Sequence, residues 1–486
     1  MVVMDYSGKR IAVIGMARTG MAVARAMREL GAHVVLYDKK SEPELGDALA
    51  EANALGAEVH PGTNNVVLDS FQGPLDLLVP SPGVPATLPV FAEAQRHGVE
   101  IVSEIELAYR IAKAPIIAIT GTNGKTTTTI LTGRMFEADG RETYIAGNVA
   151  AGEIELPLVL AAHRASADAV IVAEISTFQL EWISHFRPKV AMLLNVTSDH
   201  RDRHATVEEY AALKARIFEN QTADDFAVLN AENPFTASLA GTCFGEKNLP
   251  KHLPAGVRVM TFARKSEVEQ GAFVRGGEIV VRFEGREAAV CRRADLRLRG
   301  EHNLENALAA CCAATALGVR PASIARAIRE MEPVEHRLEP VATIDGVDYI
   351  NNSMCTNVDA AVRSIEAIDE PQVVILGGKA KGDCEDFGPV GEVLRRKARH
   401  AILIGADRDV IRAAAERAGF AALSDADTMR EAVEIAREIA QPGDVVVLSP
   451  GMASFGMFDD FQHRGRVFKE VVRGLALSEA ERTGNG

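Results

Sequence analysis

The stretch PIIAITGTNGKTTTTIL, residues 115–131, holds the side chains best suited to polyphosphate chemistry. An apolar β-branched run at 116–119 enters Gly121-Thr122-Asn123-Gly124-Lys125-Thr126-Thr127, and the threonine-rich continuation reads as a helix. A strand, a tight turn with free backbone N–H groups and a helix N-terminus together make an anion site. Gly121 and Gly124 let the backbone approach a polyphosphate, Lys125 can reach its terminal phosphates, and the Thr126 hydroxyl can ligate Mg²⁺. The form is G-x-x-G-K-T-T, because Ile119 stands where the first glycine of the longer phosphate-loop pattern would be. A glycine-rich turn capping an ordinary helix is the plainer alternative. The strand before, the helix after and the Lys-Thr pair favour ATP.

Other loops carry candidate chemistry. Glu174 ends the apolar run 169–174 and is placed like the acid that holds Mg²⁺ beside a phosphate loop. Asn195-Val-Thr-Ser-Asp-His200-Arg-Asp-Arg-His204 follows another apolar run and could ligate a cation or position a phosphate; a solvated polar loop is the alternative. Lys214 falls on a helix and, by periodicity, is expected on its surface. Lys381, in Gly377-Gly-Lys-Ala-Lys381, suits a carboxylate, and Ser454, in Ser449-Pro-Gly-Met-Ala-Ser454-Phe455, suits a helix N-cap or a ligand contact. Taken one at a time, these loops read as structural.

Three α/β stretches must position these residues. From residue 10 to 111, strands at 11–14, 33–37 and 76–79 alternate with helices. The first strand runs into Gly15-Met-Ala-Arg18-Thr19-Gly20, the second ends at Asp38, and the third ends in Pro80-Ser-Pro-Gly83. Alone, this Rossmann-like half suggests a dinucleotide site with Asp38 on a ribose; a βα turn without ligand is the alternative, since Ala17 replaces the middle glycine. The second stretch opens at the phosphate loop, with continuous apolar runs at 169–174 and 190–195, as for strands covered on both faces. From 226 to 291 the pattern turns to short alternating strands that look like an appended antiparallel element. An Ala-rich helix at 303–317 ends before Gly318. A third unit, with strands at 347–350, 373–376, 401–404 and 445–448, begins near His336.

The expected fold is therefore α/β in three domains: a Rossmann-like 1–111, a central parallel ATPase-type sheet with a small antiparallel addition at 112–335, and a Rossmann-like 336–486. A chain of 486 residues calls for two or three cores. The composition, 47% hydrophobic and 25% charged, is that of a soluble globular protein. A formal net charge of −14 argues against a broad nucleic-acid-binding face. The six cysteines form no C-x-x-C pair, so zinc ribbons and disulfide scaffolds are not expected. The N-terminus lacks a signal-peptide shape and no apolar run reaches a membrane span, so a cytoplasmic protein without membrane insertion is expected.

Together these segments resemble the Mur ligases of peptidoglycan synthesis, most closely the branch that adds D-glutamate to UDP-N-acetylmuramoyl-L-alanine. The resemblance rests on Gly121 to Thr127, Glu174-Ile-Ser-Thr-Phe-Gln-Leu-Glu181, Asn195-Val-Thr-Ser-Asp-His200, Lys214-Ala-Arg-Ile217, Gly300-Glu-His-Asn303-Leu-Glu-Asn306, His336-Arg337 and Ser449 to Phe455, in that order. It implies an N-terminal domain for the UDP-sugar in place of NAD, a central ATPase domain and a C-terminal domain for the incoming amino acid. It implies ATP, two Mg²⁺ sites, a carbamylated Lys214, small-molecule substrates, no nucleic acid and a monomer. Thr126, Glu174, His200 and Lys214 become metal ligands, with Lys125, Glu174, His200 and Lys214 as the catalytic set. ATP is expected on 121–127, Asn306, Arg337 and Asn352. The UDP-substrate is expected on Gly15, Arg18, Thr19, Asp38, Lys39, Gly83 and Asn148, and glutamate on Thr356, Lys381, Ser454, Phe455 and Phe461. The family segment Asn-Asp-Ser-Lys-Ala-Thr-Asn reads Asn351-Asn352-Ser-Met354-Cys355-Thr356-Asn357 here. Asn352 drops a charge but keeps an acceptor. Met354 removes a cation near the amino acid, for which Lys379 or Lys381 could compensate. The alternatives are a Mur-type ligase using L-glutamate or another amino acid, and a nucleotide-binding homologue without catalysis.

Overall fold

The computed structural model describes residues 4–63, 75–85, 87–149, 154–197, 206–239, 253–380 and 386–483, with the side chains of 207 and 476–483 left aside. Its strands form three sheets. The first is wholly parallel, in the order β3-β2-β1-β4-β5, from β1 Arg10–Ile14, β2 His33–Asp38, β3 Glu58–Pro61, β4 Leu77–Pro80 and β5 Glu100–Ile101. The second has nine strands: β6 Ile116–Thr120, β7 Thr143–Gly147, β8 Val170–Glu174, β9 Val190–Leu193, β10 Phe226–Asn230, β11 Arg258–Ala263, β12 Gly271–Arg275, β13 Glu278–Phe283 and β14 Arg286–Arg292. Their order is β14-β13-β12-β11-β10-β9-β6-β8-β7. The third, β15-β16-β20-β17-β18-β19, uses β15 Glu339–Ile344, β16 Val347–Asn351, β17 Gln372–Gly377, β18 Ala398–Ile404, β19 Leu423–Asp425 and β20 Val445–Leu448. The fold class is α/β, as the strand and helix patterns imply.

The runs VIVAE of β8, FAVLN of β10 and VVVL of β20 are buried at every position. A parallel strand covered by helices on both faces needs apolar residues at consecutive positions rather than at alternate ones. In each sheet the chain order reverses next to a strand whose following loop carries candidate chemistry. These strands are β1, between β2 and β4; β6, between β9 and β8; and β20, between β16 and β17. At such a switch point the connections leave in opposite directions and open a crevice at the carboxyl ends of the strands.

One expectation changes. The antiparallel addition to the central sheet is present but shorter than 226–291: β10 and β11 are parallel to β9 and to each other, and the antiparallel pairing runs from β12 to β14. Alternation of apolar residues reports which face a strand buries, not its direction. The long connection between β10 and β11 permits a parallel crossover, whereas the Gly276-Gly277 turn forces a hairpin.

The chain divides into two compact units. The first is Met1–Val196, Glu208–Arg292 and Asn306–Ile328; the second is Thr197–Val207, Arg293–Glu305 and Arg329–Gly486. In the first unit, buried carboxylates on the helix Glu104–Ile111 join the first sheet's layer to the second. Glu106 accepts from the backbone N–H groups of Ser184 at 3.0 Å and Phe186 at 2.7 Å, and pairs with Arg110 at 2.8 Å. Glu104 accepts from the Val159 N–H at 2.7 Å and from the Gln179 amide at 3.4 Å.

Burial pushes the Glu104 carboxyl from 4.5 up to about 7, against the pull of these hydrogen bonds. The folded state therefore holds this proton more tightly than the unfolded chain, and stability from this group falls as pH rises from about 4.5 to about 7. Glu104→Gln removes that ionisation, so its melting temperature is expected to gain on the wild type between pH 5 and 7 and to hold that gain above. The full difference is on the order of 3 kcal/mol. Thermal melts across this range check it; a pH-independent difference contradicts it.

Candidate active site

The site is built where β6 ends. Gly124 is the N-cap of the helix Lys125–Ala138 and has φ +85°, a left-handed conformation that glycine adopts without strain. A Cβ there would collide with Asn306 Oδ1, so the glycine also permits the approach of the helix Glu301–Ala316. Lys125 Nζ lies over the loop, donating to the carbonyls of Gly121 at 3.0 Å and Thr122 at 2.9 Å. Asn195, one strand over, holds the loop from the side. Its Oδ1 accepts from the Asn123 N–H at 2.9 Å, its Nδ2 donates to the Asn123 carbonyl at 3.1 Å, and its own carbonyl accepts from the Thr122 N–H at 3.0 Å.

Parallel register brings Glu174 to the same edge, because Ile119 of β6 pairs with Glu174 of β8. The Thr126 hydroxyl donates to Glu174 Oε2 at 2.7 Å, and Asn148 Nδ2 reaches Oε1 at 3.3 Å. Glu174 is buried, as are Thr126 and Thr127. Asn148, expected with the UDP-substrate residues, is thus a neighbour of Glu174.

Lys214 corrects the sequence reading. It is 1% exposed, not on a surface, and its Nζ donates to the Gly121 carbonyl at 2.9 Å while lying 4.3 Å from the Tyr210 ring centroid. Tyr210, Ala211 and Ala215 of the same helix are buried, and Lys214 shares their face. The surface position expected from periodicity is therefore overturned. His200 lies outside the described residues.

Asp38 and the first glycine turn also meet. Asp38 Oδ2 accepts from the Met16 N–H at 2.7 Å and Oδ1 from the Lys40 N–H at 2.9 Å. Ser81, two residues before Gly83, donates to the Gly15 carbonyl at 2.9 Å, so the loops after β1, β2 and β4 converge. Thr19 is half-buried on the helix Arg18–Glu29, Lys39 is exposed, and Arg18 sits 3.7 Å from Glu155.

In the second unit, Asn352 Oδ1 accepts from the Leu338 N–H at 3.2 Å and Arg337 Nη2 lies 2.9 Å from the Met354 sulfur, which gathers Arg337, Asn352 and Met354. Thr356 is half-buried nearby in sequence, Ser454 is buried, and Phe455 is 62% exposed. Phe461 packs edge-on to His336 with ring centroids 6.1 Å apart. Lys381 lies outside the described residues.

Comparison with known proteins decides the family. The Mur ligase middle domain matches residues 119–314, the glutamate ligase domain of Mur ligases 336–452, and a MurD-like N-terminal domain 9–103. A UDP-N-acetylmuramoylalanine--D-glutamate ligase of Pelotomaculum thermopropionicum is 45% identical, over 97% of this chain and 99% of its own. One of Koribacter versatilis, carrying the same name, is 41% identical over 98% and 100%. The chain belongs to the Mur ligase family. Solved Mur-type structures share the fold at low identity: MurF from Acinetobacter baumannii has a TM-score of 0.60 at 16% identity, covering 95% of this chain and 93% of that one. A pseudomurein peptide ligase type C from Methanothermus fervidus gives 0.59 at 18%, covering 96% and 100%.

The first unit of this Mur ligase suits a magnesium–nucleotide complex. Gly124 in the left-handed conformation opens the turn at the N-terminus of the helix Lys125–Ala138, and the buried Thr127 hydroxyl has no hydrogen-bond partner among the described residues. Thr126 and Glu174 supply adjacent hard oxygen donors, the type that Mg²⁺ selects. Lys214 as an ammonium only donates and cannot ligate a metal in that form. Asn195 was missed as a loop-holding residue, because that role follows from β9 lying beside β6. Among the described residues no helix is long and apolar enough to cross a membrane.

Proposed function

We propose that the protein is an ATP-dependent amide-bond-forming ligase that joins D-glutamate to UDP-N-acetylmuramoyl-L-alanine in peptidoglycan precursor synthesis. The observation that carries this reading is the full-length similarity to ligases of that name, at 45% and 41% identity. The Lys125–Thr126–Glu174–Lys214 constellation supports it.

In this reading a carboxylate oxygen of the L-alanyl group attacks the γ-phosphorus of ATP, forming an acyl phosphate and releasing ADP. The glutamate nitrogen then bonds to the acyl carbon, loses a proton, and the tetrahedral centre expels phosphate, which carries the former carboxylate oxygen away. Both steps join anions, so positioning and charge neutralisation are the main contributions. Thr126 and Glu174 would hold Mg²⁺, which when bound would supply Lewis-acid neutralisation of the phosphate oxygens. Lys125 accompanies the charge that moves with the transferred phosphoryl group, and the residues 121–127 and Asn306 are the proposed nucleotide contacts of the first unit; Arg337 and Asn352 are further contacts that the family resemblance implies. The resemblance assigns a second Mg²⁺ to Lys214, which would have to be carbamylated to serve, and to His200.

The division 1–111, 112–335 and 336–486 then follows substrate: UDP-sugar on Gly15, Arg18, Thr19, Asp38, Lys39, Gly83 and Asn148, ATP in the centre, and glutamate on Thr356, Lys381, Ser454, Phe455 and Phe461. The enzyme acts as a cytoplasmic monomer. The test is phosphate release from ATP and Mg²⁺ with UDP-N-acetylmuramoyl-L-alanine and each of several amino acids. D-glutamate should support the fastest release; release with L-glutamate but not D-glutamate would overturn the specificity, and no release with any amino acid would overturn the ligase reading.

A further inference from the structure

Arg464, on the helix Phe461–Thr483, is fully buried, and three uncharged acceptors surround it. Its Nε donates to Ser353 Oγ at 3.0 Å, its Nη2 to the Ser353 carbonyl at 2.9 Å and its Nη1 to the Met452 carbonyl at 3.1 Å. The Ser353 hydroxyl in turn donates to the Phe461 carbonyl at 2.7 Å, so its role towards Arg464 is that of acceptor. A Cβ on Gly378 would stand 3.3 Å from Nη1, which brings the loop after β17 against the same group. One guanidinium thus joins the loops after β16, β17 and β20 to the start of the last helix.

Among the described residues no carboxylate forms an ion pair with Arg464. The nearest acid in sequence, Asp460, is engaged with the His463 N–H at 2.6 Å, and Lys469 takes Glu335 and Glu339. Burial pulls the Arg464 pKa down to about 10, which leaves the group charged at neutral pH. A buried cation with neutral partners keeps a strong local field, because little dielectric lies around it to screen it. This field lies among the residues assigned to glutamate: Thr356 follows Ser353 by three positions, Ser454 follows Met452 by two, and Phe461 begins the helix.

We propose that Arg464 is a positioning residue for the amino-acid substrate, fixing the three loops that receive it and supplying the positive field that favours an amino acid with a second carboxylate. The proposal rests on the ligase reading above.

The test uses the full chain with Arg464→Gln, Arg464→Lys and Ser353→Ala, each assayed for phosphate release with D-glutamate, ATP and the UDP-substrate varied in turn. For Arg464→Gln the KM for D-glutamate should rise at least ~10-fold, while those for ATP and the UDP-substrate stay within ~2-fold. Arg464→Lys, which keeps the charge but not the fork, should recover part of that loss, and Ser353→Ala should move the same KM by a smaller factor. If Arg464→Gln does not fold, wild-type KM values for D-glutamate in both other variants would overturn the proposal. So would a parallel rise of all three KM values, or Arg464→Lys behaving no better than Arg464→Gln. Absence of D-glutamate-dependent release in the wild type is a different result, which removes the ligase reading itself.

Discussion

Lys125→Ala is expected to abolish measurable ATP-dependent phosphate release, with kcat/KM lowered by at least ~10²-fold and the melting temperature little changed. The side chain is held at the loop by the carbonyls of Gly121 and Thr122, at 3.0 and 2.9 Å. These are contacts to loop carbonyls, whereas the charge itself is suited to a phosphate oxygen bearing added negative charge in the transition state. Steady-state assays with a thermal melt check the claim. Turnover near that of the wild type would remove the phosphate-loop assignment, and with it the central role of β6.

The second large effect belongs to Lys214. Lys214→Ala should be nearly inactive, losing on the order of 10²–10³-fold in kcat, because it removes a buried amine beside Gly121 that carbamylation would turn into a carboxylate-like metal ligand. The truncation leaves a hole at a position that is 1% exposed, large enough for a small molecule to replace part of the side chain. A short carboxylic acid such as acetate should therefore restore part of the activity. A short alkylamine restoring it instead would mean that Lys214 works as an ammonium on the Gly121 carbonyl. Full activity of the unrescued variant would deny it either role.

The two lysines also mark how far the sequence could be read. Lys125 was legible because its chemistry is local: strand, glycine turn and helix N-terminus are consecutive, and the structure returns them as β6, Gly124 at φ +85° and the helix Lys125–Ala138. Glu174 was legible because a continuous apolar run ended on an acid, and β8 lies beside β6. Lys214 was not, since its burial depends on a carbonyl 93 residues away that no window along the chain contains. The same holds for Asn195, whose contacts with Thr122 and Asn123 follow from β9 being the other neighbour of β6. Arg464 is a harder case. A charged residue on an amphipathic helix reads as solvated, and its burial appears only when the loops after β16 and β20 close over it. The hairpin at Gly276-Gly277 was visible from its turn, and the continuous apolar run of β10 carried the sign of a parallel strand that the reading of 226–291 as one antiparallel element passed over.

The most direct test follows one oxygen. UDP-N-acetylmuramoyl-L-alanine labelled with ¹⁸O in its alanyl carboxylate would be turned over with unlabelled ATP, Mg²⁺ and D-glutamate, and the released phosphate analysed by mass. Attack of that carboxylate on the γ-phosphorus, followed by amine displacement, should place one ¹⁸O atom in each phosphate and leave one in the new amide. Phosphate released without label, in step with amide formation, would contradict an acyl-phosphate ligase.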